Sequence, residues 1–228
     1  MDLVNKYCII VPTYQSSETL LPLIHRIRNV NPEIPLIVID DGSTDDSLKV
    51  LNQINDVTIV RHPVNFGKGA AIKSGINKAK QMKCTCGIFI DSDLQHAPEK
   101  IPEFITSKES QNVRMILGRR SFTLRNMPFH RFLSNTVTSF IISFRTMRRV
   151  HDSQCGFRLI DLDSIQTSLY ADDGFQFESE FLIRAMSSGM SFVEIEIPTI
   201  YNHSHSSIHN IRDTGRFILL ILKSYIWT

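Results

Sequence analysis

Gly87-Ile88-Phe89-Ile90-Asp91-Ser92-Asp93-Leu94-Gln95-His96 is the stretch whose reading decides the fold. Gly87 to Ile90 read as a short buried strand, and two carboxylates spaced one residue apart follow where that strand should end. In open α/β sheets, ligands bind beyond the carboxyl ends of the strands. An Asp-x-Asp pair placed there can hold a hard divalent cation through oxygen ligands, in the service of a phosphate-bearing substrate. A lone Asp would be read as the cap of the helix expected near Pro98. Two carboxylates after an apolar strand favour the metal.

Upstream, three more units of the same kind precede this one. Tyr7-Cys8-Ile9-Ile10-Val11 is a strand by β-branched content, followed by a turn at Pro12-Thr13-Tyr14 and a helix from Ser17 or Glu18, capped by Ser16 or Ser17. Leu20, Leu21, Ile24 and Ile27 form the apolar stripe of that helix. Leu36-Ile37-Val38-Ile39 is the second strand, ending in Asp40-Asp41-Gly42-Ser43-Thr44-Asp45-Asp46. An acidic residue at that point can accept hydrogen bonds from a ribose or a base, with Ser43 or Thr44 as the next N-cap. Val57-Thr58-Ile59-Val60 is the third strand, and Asn65-Phe66-Gly67-Lys68-Gly69 leads into a helix ending near Lys80. Glycines before a helix N-terminus let backbone N–H groups approach an anion, although the spacing is not that of a Walker A loop. No glycine-rich turn follows the first strand, which argues against a dehydrogenase. Strands alternating with helices indicate a mostly parallel sheet covered on both faces.

Composition bounds the remainder. The 228 residues are 42% hydrophobic and 21% charged, with a net charge of +2. That suits one globular domain, residues 1–228, and gives no reason to expect nucleic acid. Cys8, Cys84, Cys86 and Cys155 lack paired Cys-x-x-Cys spacing and are expected to be reduced, in keeping with a cytosolic setting. No signal peptide is expected, and no apolar run approaches the ~20 residues that span a bilayer.

Four motifs therefore stand in fixed order: Val11-Pro12-Thr13-Tyr14, Asp40-Asp41-Gly42-Ser43, Asn65-Phe66-Gly67-Lys68-Gly69 and Asp91-Ser92-Asp93-Leu94-Gln95-His96. Together they resemble the family 2 glycosyltransferases of GT-A fold, a single Rossmann-like domain, and among these the dolichyl- and polyprenyl-phosphate sugar synthases. Leu117-Gly118-Arg119-Arg120, Asp152-Ser153-Gln154-Cys155-Gly156-Phe157-Arg158, Phe177-Glu178-Ser179-Glu180 and Ile197-Pro198-Thr199-Ile200-Tyr201 extend the resemblance downstream. It implies a nucleotide-sugar half over about 1–120 and an acceptor half over about 121–228. The donor would meet Pro12, Tyr14, Asp40, Asp41, Lys68, Asp91, Ser92, Asp93 and His205, the last standing where related enzymes carry Lys or Arg. Asp91 and Asp93, with Gln95, would hold Mg²⁺ or Mn²⁺, which would neutralise the departing nucleoside diphosphate. Arg120, Arg131 and Ser134 resemble the positions that hold an acceptor phosphate, and Asp93, Asp152 and Arg120 would act in catalysis.

Two stretches bear on location. Phe129, Phe132, Leu133, Val137, Phe140, Ile141, Phe144 and Met147 recur at helical spacing, with Arg131, Arg145, Arg148 and Arg149 at the ends. Such a basic amphipathic helix suits either a membrane surface or an ordinary core. Arg216 to Trp227 is a second helix, with Lys223, Tyr225 and Trp227 suited to an interface. His203, His205 and His209 cluster in the loop from Asn202 to Arg212. The resulting expectation is an inverting transferase moving a hexose from a nucleotide diphosphate sugar, of GDP-mannose or UDP-glucose type, to a polyprenyl phosphate. It would be peripheral at the cytoplasmic membrane face, directly or through a membrane partner. A hydroxyl acceptor on a cell-envelope glycan is the alternative enzyme, and an inactive nucleotide-sugar-binding module the alternative of another class. A hydroxyl acceptor calls for a base, for which Asp152, Glu178 and Glu180 are candidates; pinning an arginine is the equal alternative for Asp152 or Glu178.

Overall fold

Alternation along the first two strands sets the layers. In β1 (Tyr7–Thr13) and β2 (Leu36–Asp40), Tyr7, Ile9, Val11, Leu36 and Val38 point to one face of the sheet. Cys8, Ile10, Ile37 and Ile39 point to the other. The computed structural model describes residues 6–121, 129–200 and 210–227, apart from the side chains of 129–131 and 210–212. Both strands are buried throughout, as strands covered on two faces must be. The remaining strands are β3 (Val57–Arg61), β4 (Cys86–Phe89), β5 (Met115–Arg120), β6 (Arg158–Asp161) and β7 (Phe192–Ile197). They form one seven-stranded sheet in the order β3-β2-β1-β4-β6-β5-β7.

β1 runs parallel to β2 and β4, β2 to β3, and β5 to β7; β6 is antiparallel to both β4 and β5. This reversal positions the site. Arg158 opens β6 at the edge where β4 and β5 end, pairing with Phe89 and Leu117. The segment before it, 152–157, therefore lies beside Asp91 and Arg120.

Helices α1 (Ser17–Val30), α2 (Ser47–Leu51) and α4 (Ile101–Gln111) cover one face, where Phe104 stacks on Phe157 with ring centroids 4.2 Å apart. Helices α3 (Lys68–Gln81) and α6 (Gln176–Ser187) cover the other, with α6 packed between α5 (Phe129–Thr146) and α7 (Asn210–Ser224). All four cysteines are buried and free. Among the described residues, no helix is long and apolar enough to cross a membrane.

Several local expectations are corrected. β1 continues through Pro12 and Thr13, which were expected in a turn; Pro12 stands near the strand's end, opposite Ile39. Leu23, not Leu21, completes the buried stripe of α1, and Leu21 is exposed. Neither Ser43 nor Thr44 caps α2. Asp45 instead accepts from Ser47 N and, across the loop, from Ser17 N at the start of α1, at 3.0 Å each. Trp227 is partly buried, with the Arg184 guanidinium 3.9 Å from its ring centre, rather than displayed at a surface.

For α5, a membrane-surface face and a core face were both open. Leu133, Val137, Phe140 and Phe144 form an exposed apolar stripe that continues into Met147. The buried side is mainly polar: Asn135, Thr138 and Ser139, with Ile142. Hydrogen bonds to the 150–154 segment explain the inversion. Ser153 N donates to Ser139 Oγ, Val150 N to Ser143 Oγ, and Gln154 Nε2 to Thr138 Oγ1. Burying these groups is tolerable because they are paired.

The Phe104–Phe157 stack gives a stability prediction. Phe104→Ala should lower unfolding free energy by about 3–5 kcal/mol, read as a shift in urea midpoint with the slope retained.

Candidate active site

Five chain segments converge at the edge where β1, β2, β4 and β5 end. Lys68, the first residue of α3, places its ammonium 2.7 Å from Asp91 Oδ1 and 3.2 Å from Glu178 Oε2. Arg158 Nη2 lies 3.9 Å from the other oxygen of Glu178. Arg158 is itself fixed by donating to Cys155 O and Ser153 O, both at 2.9 Å. Burial would push the Asp91 carboxyl up, but Lys68, with His96 and Arg158, holds it down at about 2. Burial works against the Lys68 charge too, and Asp91 and Glu178 outweigh it, so Lys68 stays protonated.

Close backbone approach makes this cluster possible. A Cβ on Gly156 would fall 2.3 Å from Asp91 Oδ2, so a larger residue there would displace the carboxylate. Gly67 has φ of 108°, and a Cβ there would fall 2.4 Å from Asp173 O. The Gly-Lys-Gly segment is thus explained by docking against the 172–174 loop as well as by any approach to a phosphate. His96 Nδ1 accepts from Asp91 N at 3.3 Å, and burial keeps its pKa low despite nearby Asp91 and Asp93. Asp93 Oδ1 accepts from Gln95 N at 2.9 Å, in a turn where Leu94 takes a left-handed φ of 62°. Ser92 Oγ meets Ser16 Oγ at 2.9 Å, joining the acidic segment to the start of α1.

Asp40 and Asp41 part company. Asp41 Oδ1 meets His62 Nδ1 at 2.6 Å and accepts from Phe66 N, while Oδ2 accepts from Gly67 N at 2.8 Å. It therefore shapes the loop that delivers Lys68. Asp40 Oδ1 accepts from Ser43 N, whereas its buried Oδ2 has no hydrogen-bond partner among the described residues, with Arg61 Nε at 3.6 Å. Thr13 Oγ1, opposite it in the β1–β2 register, is likewise buried without a partner. Pro12 lines a small cavity beneath Asp91 and Glu178, and Tyr14 is exposed.

Asp152 is fully engaged. Oδ2 accepts from Arg120 N at 3.1 Å and Nε at 2.7 Å; Oδ1 accepts from Arg120 Nη2 at 3.0 Å and Asn135 Nδ2 at 3.2 Å. Burial opposes the charge of Arg120, but Asp152 holds it firmly protonated. Cys155 beside them is pushed up to about 12, by burial first and then by the Asp152 charge, which leaves an inert thiol. α5 thus turns Asn135 toward this pair, while Ser134 is exposed. The Arg131 side chain and His203, His205 and His209 lie outside the described residues.

The donor set suits a hard cation. Among the described residues, no group of three or more His, Cys, Asp or Glu side chains is placed to hold a metal. Asp91 and Asp93, with Gln95, are the kind of oxygen site that Mg²⁺ or Mn²⁺ shares with a substrate's phosphates. Arg158 and His96 carried no assigned site role in the sequence, and Glu178 stood there only as a candidate base or a partner for an arginine. Glu178 and Glu180 look alike there, yet Glu180 is buried, accepting from Ala171 N, Asp172 N and Arg184 Nε.

The family model described as Glycosyl transferase family 2 matches residues 8–169, and the chain belongs to that family. Its fold is the GT-A fold. The chain is 26% identical over 214 residues to the UDP-N-acetylglucosamine–dolichyl-phosphate N-acetylglucosaminyltransferase of Methanococcus voltae, covering 85% of each. It is 26% identical to the polyprenol monophosphomannose synthase of Mycolicibacterium smegmatis, covering 83% of this chain and 75% of that one. Glucosyl-3-phosphoglycerate synthase from Mycobacterium tuberculosis, in complex with Mn²⁺, UDP-glucose and phosphoglyceric acid, superposes with a TM-score of 0.75 at 16% identity. The superposition covers 96% of this chain and 79% of that one.

Asp91 supplies an acid-range signature. Its folded pKa lies below the unfolded value of about 3.9. The stabilisation is therefore complete above about pH 4 and is lost as pH falls toward 2. Across that window the wild type should lose on the order of 2 kcal/mol more than Asp91→Asn, measured by urea denaturation at each pH. Superimposable profiles would remove the ion pair with Lys68.

Proposed function

We propose that this enzyme transfers a hexose, with inversion, from a nucleotide diphosphate sugar of GDP-mannose or UDP-glucose type to a polyprenyl phosphate, working at the cytoplasmic face of a membrane. The observation that carries the acceptor is the engagement of Asp152, whose two oxygens accept four hydrogen bonds from Arg120 and Asn135. Glu178 faces two cations, and Glu180 is bound to the 171–172 backbone. All three candidate bases are thus engaged as partners. A sugar hydroxyl needs a base as it attacks; a phosphate monoester, with a second pKa of about 6, is already ionised. It needs orientation by cations, a role we assign to Arg120, which Asp152 holds in one orientation, with Arg131 and Ser134 as further acceptor contacts.

On the donor side, residues 1–120 supply most contacts. Asp40 Oδ2 and Thr13 Oγ1, buried without a hydrogen bond among the described residues, support recognition of the nucleoside there, with Pro12, Tyr14 and Ser92 at its border, Asp41 shaping the loop and His205 as a further donor contact. Asp91 and Asp93, with Gln95, would hold Mg²⁺ or Mn²⁺, which stabilises charge on the departing diphosphate. Lys68 stands beside that position as a second source of positive charge.

The inverted amphipathicity of α5 supports a lipid surface. Phe140 and Phe144 stack at 6.5 Å and are both about two-thirds exposed. α7 adds exposed Ile218, Leu219 and Leu222, and the turn after it Tyr225 and Ile226. Arg145 donates to Ser224 Oγ at 2.8 Å and lies 4.4 Å over the Tyr225 ring, which joins the two helices at their C-terminal ends. Exposed apolar area on this scale marks an interaction surface.

Transfer of radiolabelled sugar tests the acceptor. Wild type should label a short prenyl phosphate and not free sugars, and Asp93→Ala should reduce labelling to background. Asp152→Asn should retain transfer, lowered by about ten- to a hundredfold through misplacement of Arg120. Transfer only to hydroxyl acceptors, abolished in Asp152→Asn, would install Asp152 as a base instead. For the surface, wild type should sediment with anionic liposomes and be partly released by salt; Phe140→Ser/Phe144→Ser should stay in the supernatant. Equal sedimentation of both proteins would remove α5 from the contact.

A further inference from the structure

Lys68 joins two carboxylates from different elements. Asp91 follows β4, and Glu178 stands in the first turn of α6. With Arg158 behind Glu178, four charges alternate in a row: Asp91, Lys68, Glu178, Arg158. All four side chains are under a quarter exposed, so their interactions act through a lower dielectric than water. Binding a cation at Asp91 and holding an acceptor phosphate at Arg120 leave Glu178 without a task.

We propose that Glu178 is a positioning residue for an exchange of cations at Asp91. Lys68 neutralises Asp91 in the ion-free enzyme, and a divalent cation replaces it there. Glu178 then retains the ammonium at the border of the site. This rests on the metal reading of Asp91 given above. A divalent ion and an ammonium repel one another on one carboxylate, so Lys68 competes with the metal for Asp91. Leaving Asp91 would strand a buried charge if Lys68 had no second partner, which is strongly unfavourable. Glu178 removes that obstacle, because the ammonium keeps one carboxylate throughout. Arg158, anchored on two backbone carbonyls, keeps Glu178 directed at Lys68. No covalent bond changes; one ion pair is traded for another.

The exchange predicts opposite signs for two substitutions. Mn²⁺ binding is measured on the nucleotide-free enzyme, from the electron paramagnetic resonance signal of the unbound ion. Glu178→Gln should weaken Mn²⁺ binding by about tenfold, since the ammonium then has Asp91 as its sole anionic partner in the pair. Lys68→Met should tighten it by about tenfold by removing the competitor, and the double variant should match Lys68→Met, because Glu178 acts only through the ammonium. If Lys68 merely braces Asp91, both substitutions weaken binding. Changes of the same sign, or none, overturn the exchange. Near-ultraviolet circular dichroism reports whether each variant folds, with Lys68→Gln replacing Lys68→Met if needed. A wild type whose transfer requires Mn²⁺ while its free form takes up none overturns the exchange alone. A wild type whose transfer is indifferent to chelation overturns the metal reading beneath it.

Discussion

The buried ion pair of Asp152 with Arg120 is the contact on which the second half of the structure is assembled. One carboxylate accepts from the end of β5, through both the backbone and the side chain of Arg120, and from α5 through Asn135. It stands just before β6, so a single group joins two strands and a helix. Bidentate pairing of this kind fixes orientation as well as distance. A buried pair of charges is weak evidence for net stability, because desolvation offsets much of the attraction. Its contribution here is geometric: it sets where a guanidinium sits at the sheet edge.

The rest of the site follows the same logic of mutual constraint. Asp41 holds the loop before α3, and that loop sets the position of Lys68. Gly156 leaves room for Asp91, and Asp91 and Glu178 then hold Lys68 from two sides. Interlocked loops support the ends of β1 and β2. Gln15 Oε1 accepts from Thr44 N and Asp45 N, while Gln15 N donates to Ser43 Oγ. These bonds connect the turns after β1 and β2, the strands that carry Thr13 and Asp40 at their ends.

Much of this architecture was legible in the sequence, for a physical reason. Apolar β-branched runs such as Leu36-Ile37-Val38-Ile39 have few alternatives to a doubly covered strand. The ends of β1 to β4 were placed within one or two residues, with β1 running further because Pro12 is tolerated near a strand's end. What the sequence concealed depends on distant partners. The helical period of Leu133, Val137, Phe140 and Phe144 reveals an apolar face but not its direction. That direction is decided by hydrogen bonds between the 150–154 segment and Asn135, which donates, and Thr138, Ser139 and Ser143, which accept. Glu178 and Glu180 posed the same problem: two residues apart on a helix, they point to different surroundings, and only the fold tells site from scaffold. Asp152, which offers a base or an anchor equally well in sequence, has both oxygens engaged by four donors from β5 and α5.

The reversed strand β6 has a consequence for how the chain reaches this state. β5 lies between β6 and β7, both of which come later in the chain. During synthesis from the N-terminus, β1 to β4 can pair as they emerge, whereas β5 has no neighbour until residue 158 and beyond are available. Its apolar Met115, Ile116 and Leu117 are therefore the last central residues of the first half to be covered. An unpaired apolar edge is a site of off-pathway association. The interval between making β5 and completing β6 is thus the vulnerable period in the birth of this protein, and truncation before Arg158 would make that exposure permanent.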